Sequence, residues 1–180
     1  MERTRSRTST GSDDQSAGNL FELFDRDNSG SIDIHELRDV FAFSSLDLNE
    51  YQVAQLLRLA DFDKSGRIEV HEFEHLKRLI DTLVKQFQSK AVTIKNRINA
   101  EQLCFLVTHH HGYNIQEKVL QSLCRIFDPD ESHDYRFSDY ISCIAFLKSA
   151  SIVFNMFDVE HTGKIELNFD QFVYAASCTK

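Results

Sequence analysis

Asp25-Arg26-Asp27-Asn28-Ser29-Gly30-Ser31-Ile32-Asp33-Ile34-His35-Glu36 decides the fold, and Asp61-Phe62-Asp63-Lys64-Ser65-Gly66-Arg67-Ile68-Glu69-Val70-His71-Glu72 repeats it thirty-six residues later. Each run puts side-chain oxygens at positions 1, 3 and 5, a glycine at 6 and a glutamate at 12. A hard divalent cation such as Ca²⁺ takes six to eight oxygens at about 2.3–2.6 Å. Asp25, Asp27 and Ser29, and likewise Asp61, Asp63 and Ser65, supply three oxygens from one tight turn. Gly30 and Gly66 occupy the position where the chain must turn left-handed. Ser31 and Arg67 need only offer a carbonyl, so their side chains are unconstrained. Asp33 and Glu69 ligate directly or through water. Glu36 and Glu72 reach back from the following helix and close the sphere with both oxygens. Ile32 and Ile68 point away from the ion and form the short strand through which two such loops pair.

These runs are twelve-residue EF-hand calcium loops, and helical spacing flanks them. Leu20, Phe21 and Phe24 lead into the first, and Leu37, Val40 and Phe41 lead out. Leu56, Leu57 and Ala60 precede the second, and Phe73, Leu76 and Ile80 follow it. Two sites are therefore expected, with four carboxylates each and Kd on the order of 10⁻⁷–10⁻⁵ M. Mg²⁺ is the natural competitor.

With the repeat known, three damaged copies emerge. Asp158-Val-Glu160-His-Thr162-Gly163-Lys164-Ile165-Glu166 is a third clear loop start, but its exit is displaced: Phe172 falls seven residues after Ile165, where five is the rule in the first two loops. Position 12 becomes Phe169, which cannot ligate, and Asp170 is a poor substitute. A fourth copy runs from Asp128 to Asp139, with Asp130 and Ser132 at positions 3 and 5. There His133 replaces the glycine, Arg136 puts a positive charge at position 9, and Asp139 is a carbon short for bidentate closure. Metal ligation at Asp128, Asp130, Ser132, Asp158, Glu160 and Thr162 is expected to be weak or absent. The fifth copy, Ala91–Gln102, keeps Ile98 at position 8 and has no acid at positions 1, 3 or 5; it is expected to retain strand and helices without the metal.

Loop starts at 25, 61, 91, 128 and 158 give alternating long and short spacings. The short ones require the exit helix of one hand to serve as the entry helix of the next, near 73–88 and 140–157. Over residues 19–180 this layout, with the two-residue insertion in the last loop, resembles the penta-EF-hand family. The resemblance implies one all-α domain with short inter-loop strands. Hands one and two pair, as do three and four, and hand five pairs with hand five of another subunit. It also implies that the first hand, here Asp25, Asp27, Ser29, Ser31 and Glu36, is a main calcium site. The third hand, a main site in many members, has no ligands here.

An odd number of hands also leaves one unpaired strand edge and apolar face. Ile152, Val153, Phe154, Phe157, Ile165, Phe169 and Phe172 are expected to form a dimer interface, closed most simply by a twofold contact in a homodimer or heterodimer.

Composition agrees. Lys plus Arg is 20 and Asp plus Glu is 28, a net charge of −8 that opposes sequence-independent nucleic-acid binding. One Pro and six Gly suit helices. No apolar run follows Met1-Glu2-Arg3 and no Gly stands at position 2, so neither a secretory signal nor myristoylation is expected. Tyr140–Phe157 is nearly uncharged but carries four Ser or Asn and one Lys, and reads as a buried core helix. Residues 1–18, rich in Ser, Thr and Arg, are expected to be a flexible tail. Cys104, Cys124, Cys143 and Cys178 are expected to be reduced, buried thiols of a cytoplasmic protein. A calcium-dependent protein or peptide partner is expected, with peripheral, calcium-dependent membrane recruitment as a further option.

Two histidine motifs lie apart from this account. His71-Glu72-Phe73-Glu74-His75 matches the zinc-peptidase signature, yet Glu72 is already committed as a calcium ligand. His109-His110-His111 ends a helix before Gly112 and is expected to complement that helix's negative end.

Overall fold

The computed structural model describes residues 11–91, 96–128 and 131–178, with backbone only for 11–16. Asp130, residues 92–95 of the third loop and residues 1–10 of the expected tail lie outside the described residues.

Five helix-loop-helix units follow one another. Hand one is α1 (Gly11–Phe24), β1 (Ser31–Ile32) and α2 (Ile34–Phe43). Hand two is α3 (Glu50–Ala60), β2 (Ile68–Glu69) and α4 (Val70–Gln88). Hand three uses α4 again, then β3 (Ile98–Asn99) and α5 (Ala100–Phe105), which runs on as a π-helical turn, Leu106–His110. Hand four is α6 (Glu117–Ile126), β4 (Asp134–Tyr135) and α7 (Phe137–Phe157). Hand five uses α7 again and ends in α8 (Phe169–Cys178). The two shared helices inferred from the spacing are α4 and α7. Each starts three residues earlier than expected, because the helix begins inside the loop at position 10.

β1 pairs antiparallel with β2, setting Ile32 opposite Ile68, and β3 pairs with β4, setting Ile98 opposite Tyr135. All four position-8 side chains are fully buried. Hands one and two, and hands three and four, are thus back-to-back pairs. No strand of the fifth loop is paired among the described residues.

One core joins the two pairs. Phe87 of α4 packs edge-on against Phe137 and tilts against Tyr140 of α7. Gln52 of α3 reaches across to donate to Ser142 Oγ at 2.9 Å and to the Ser138 carbonyl at 3.2 Å. Every buried polar contact of this kind fixes register, because an unpaired amide there would lose its water without replacement. α7 is long and apolar enough to cross a membrane by length and composition, but Tyr140, Ile141, Cys143, Ile144, Ala145 and Leu147 are packed in this core.

Several expectations need correction. Helix α1 begins at Gly11, inside the expected tail: Ala17 is buried and extends the Phe21–Phe24 face by one turn, at i, i+4 and i+7. Cys178 is exposed and Cys104 only partly covered; Cys124 and Cys143 are buried, which pushes both thiols up to about 12. His111 is not a solvent-facing cation at a helix end. Its Nε2 lies 2.9 Å from the Tyr140 hydroxyl, and burial, aided by Lys148 and His110, holds it down at about 4, so it is neutral.

Candidate metal centre

At their described positions the loops share one backbone. Position 4 is left-handed in Asn28, Lys64, Glu131 and His161, and position 6 is left-handed in Gly30, Gly66, Asn96, His133 and Gly163. Even the ligand-free third loop keeps the turn, with Asn96 as the non-glycine residue that tolerates it best.

The first aspartate organises each turn. Asp25 Oδ1 and Oδ2 accept from the Ser29 and Gly30 N–H groups, both at 2.9 Å. Asp61 does the same with Ser65 and Gly66 at 2.9 and 2.8 Å. Asp128 and Asp158 repeat the pattern in hands four and five. Asp27 and Asp63 also accept from the Ser29 and Ser65 N–H groups at 3.0 Å. Hydrogen bonds from those serines hold both carboxyls below the ordinary aspartate range. At Asp158 burial works in the raising direction, and the Gly163 and Thr162 donors outweigh it.

The closing glutamates are the discriminating feature. Glu36 Oε1 accepts from the Arg26 N–H and Oε2 from the Asp33 N–H, both at 3.0 Å. Glu72 Oε1 accepts from Phe62 at 2.7 Å and Oε2 from Glu69 at 2.9 Å. Each carboxylate is thereby pinned between the loop's entry and its exit, with its remaining lone pairs free to ligate. Oxygens of Asp25, Asp27 and Glu36 lie within 4.8 Å of one another, and so do those of Asp61, Asp63 and Glu72. Oxygens on opposite sides of one Ca²⁺ stand about 4.6–5.2 Å apart, twice the bond length, so both sets fit that ion. These residues, with Ser29 Oγ and the Ser31 carbonyl in hand one and Ser65 Oγ and the Arg67 carbonyl in hand two, would hold it. Asp33 sits at the α2 N-cap, where Oδ1 accepts from His35 and Glu36. Glu69 Oε2 faces His71 at 3.5 Å.

In the other hands the closing residue survives only as a helix cap. Asn99 N–H donates to Gln102 Oε1 at 2.8 Å, and Gln102 N–H donates back to Asn99 Oδ1 at 2.9 Å. Asn168 and Gln171 do the same at 2.9 Å each. The counterpart of Glu36 in hand five is therefore Gln171, not Phe169 or Asp170, and a neutral amide replaces the bidentate carboxylate. Its signal in the sequence is the Asn-x-x-Gln spacing of a capping box. In hand four Asp139 Oδ2 accepts from Arg136 at 2.8 Å, but position 2 is Pro129, which has no N–H for the other oxygen. His133 Nδ1 meanwhile sits 3.3 Å from Asp128 Oδ2.

The zinc-peptidase look-alike does not assemble. Glu72 is 1% exposed with both oxygens engaged, His71 turns to Glu69, and the His75 ring packs edge-on against Phe62.

At hand five, Phe169 and Phe172 are 77% and 60% exposed, and Val173, Tyr174 and Ile152 are exposed beside them. Phe154, Phe157 and Ile165 are half-buried. Val153 is buried within its own chain and so belongs to the core, not to that open face.

Residues 14–77 match the EF-hand domain pair. No curated protein sequence matches the chain. Among solved structures, a homologue of programmed cell death 6 protein from Leishmania major Friedlin superposes with a TM-score of 0.68 at 26% identity, covering 96% of this chain and 100% of the other. Residues 14–77 thus carry an EF-hand domain pair, set within a fold of five helix-loop-helix units similar to that of the programmed cell death 6 homologue.

Proposed function

We propose that the protein is a non-enzymatic calcium sensor or adaptor. It binds Ca²⁺ in hands one and two, dimerises through hand five and engages a protein or peptide partner when loaded. The observation that carries this reading is the pair of carboxylate clusters, each closed by a glutamate held between two backbone N–H groups. Calcium adds bonds to both the entry and exit sides of each loop, so loading changes the angle between the helices that the loop joins.

A cleft of about 430 Å³ lies where that change is felt, between α2, α4 and the start of α7. Leu37, Phe41, Leu76, Ile80 and Phe137 line it, with Lys77 and Asp81 at its rim. It is lined by Phe and Leu rather than Met, and such a surface supports a narrower choice of peptide. The open apolar face of α8 supports dimerisation. Residence in the cytoplasm, with calcium-dependent recruitment to membranes, completes the proposal.

Calorimetric titration with calcium tests it. Two equivalents are expected, one lost in Glu36→Gln and one in Glu72→Gln; unchanged stoichiometry in both variants refutes the assignment. An apolar dye separates sensor from buffer, since only a sensor changes its exposed apolar surface on loading. A regulatory subunit of a heterodimeric enzyme is the second reading, favoured by the same open α8 face. A tight homodimer of the pure chain by light scattering rejects it.

A further inference from the structure

Arg67 belongs by sequence to loop two, but its side chain lies in loop one. The β1–β2 register, which sets Ser31 opposite Glu69, brings position 7 of the second loop alongside the ligands of the first. Arg67 Nε donates to Ser31 Oγ at 2.6 Å. Its terminal Nη2 donates to Ser29 Oγ at 2.9 Å and to the Ser31 carbonyl at 3.1 Å. The same Nη2 lies 3.8 Å from Asp27 Oδ2 and 3.9 Å from Glu36 Oε2. One cationic nitrogen thus faces the ligand oxygens of positions 3, 5, 7 and 12 of hand one. The residue at position 7 of loop one is Ser31, too short to return the contact, so the arrangement is one-sided.

We propose that Arg67 is a tethered competitor for the hand-one cation, on the reading that hands one and two bind calcium. A metal ion at the centre of Asp25, Asp27, Ser29, Ser31 and Glu36 needs the oxygens that Nη2 engages. A guanidinium and a dication cannot share them, for steric reasons and by charge repulsion. Calcium must therefore release Arg67 before it fills hand one. Among the described residues hand two has no such competitor, so it fills first. The main-chain carbonyl of Arg67 is a ligand position of hand two, so a single residue gives its backbone to one site and its side chain to the other. Loading of hand two restricts Arg67 and biases the release of its side chain, which ties the two sites together. The side chain is 36% exposed, so solvent weakens the competition. Its charge-assisted hydrogen bonds, discounted for that exposure, correspond to about a tenfold effect on affinity.

Calorimetry on the full chain tests this, with Arg67→Met, which keeps most of the stem without the charge, and Arg67→Ala as a second variant. The wild type is expected to show two unequal constants. Both variants are expected to tighten the weaker one about tenfold and to leave the stronger within about threefold. Adding Glu36→Gln to Arg67→Met is expected to abolish the tightened site, which assigns it to hand one. Arg67→Lys, with a compact charge and no planar fork, is expected to fall between. Two bound ions with unchanged constants in both Arg67 variants, or a weakened hand one, overturn the competitor role and leave the calcium sites standing. A wild type that binds no calcium overturns both.

Discussion

Replacing Glu72 by glutamine changes one oxygen into an NH₂ and removes one charge, with almost no change of shape. The structure says what that costs without metal. Both Glu72 oxygens accept main-chain N–H groups, from Phe62 at 2.7 Å and Glu69 at 2.9 Å, and the residue is 1% exposed. An amide can satisfy only one of these donors; its NH₂ must face the other. Gln102 shows how a native glutamine avoids the conflict: its Oε1 takes the Asn99 N–H, and its Nε2 donates to the Lys90 carbonyl at 2.9 Å. The group that meets Glu72 Oε1 is instead an N–H, that of Phe62. One charge-assisted hydrogen bond is lost and a buried donor is left facing another, a cost of about 2 kcal/mol. For a domain of this size the melting temperature should fall by about 4–8 °C in excess chelator. Calorimetric scanning of the calcium-free variant reads this directly. An unchanged chelated melting temperature would refute the claim that Glu72 braces the loop before the ion arrives.

Further outcomes follow from other contacts. His133 holds a left-handed conformation at a glycine position, with φ of 56°, so His133→Gly should raise stability by about 0.5–1 kcal/mol, read as a melting rise of about 1–4 °C. The same variant should gain no calcium, because Asp139 and Pro129 are unchanged; a third equivalent in calorimetry contradicts this. His111 is neutral when folded, at about 4, and takes a proton near 6.5 when unfolded. Its contribution is therefore complete above pH 6.5 and is lost as pH falls from there toward 4. His111→Gln should flatten that part of the stability profile of the calcium-free protein, and an unaltered slope would argue against it. Phe169→Ser with Phe172→Ser removes two exposed rings per chain and should weaken self-association about 100-fold or more by sedimentation, without moving the monomer's melting temperature, since neither ring is buried in its own chain.

Much of this was legible because EF-hand chemistry is local. Asp-x-Asp-x-Ser-Gly with a glutamate at position 12 names ligands whose roles follow from one turn of backbone, and the loop spacing alone predicted the doubled helices α4 and α7. What escaped depends on contacts between segments. Position 7 needs only a carbonyl, so nothing in its own loop marks the Arg67 side chain; its role follows from the register of β1 on β2. The neutral His111 follows from its burial, with Lys148 and His110 adding to it, in a pocket closed by Tyr140, twenty-nine residues away. The start of α1 is hidden because Ser, Thr and Arg dominate residues 1–18, while one buried Ala17 marks the extra turn. In hand five the insertion is legible from the place of Phe172, but the closing role of Gln171 emerges only from its reciprocal bond with Asn168.

Anomalous scattering from a crystal grown with calcium locates the bound ions. Two strong peaks per chain are expected, one among Asp25, Asp27 and Glu36 and one among Asp61, Asp63 and Glu72, each about 2.3–2.6 Å from its oxygens. Absence of a peak at both places, in a lattice that leaves the loops open, would contradict the assignment of both calcium sites.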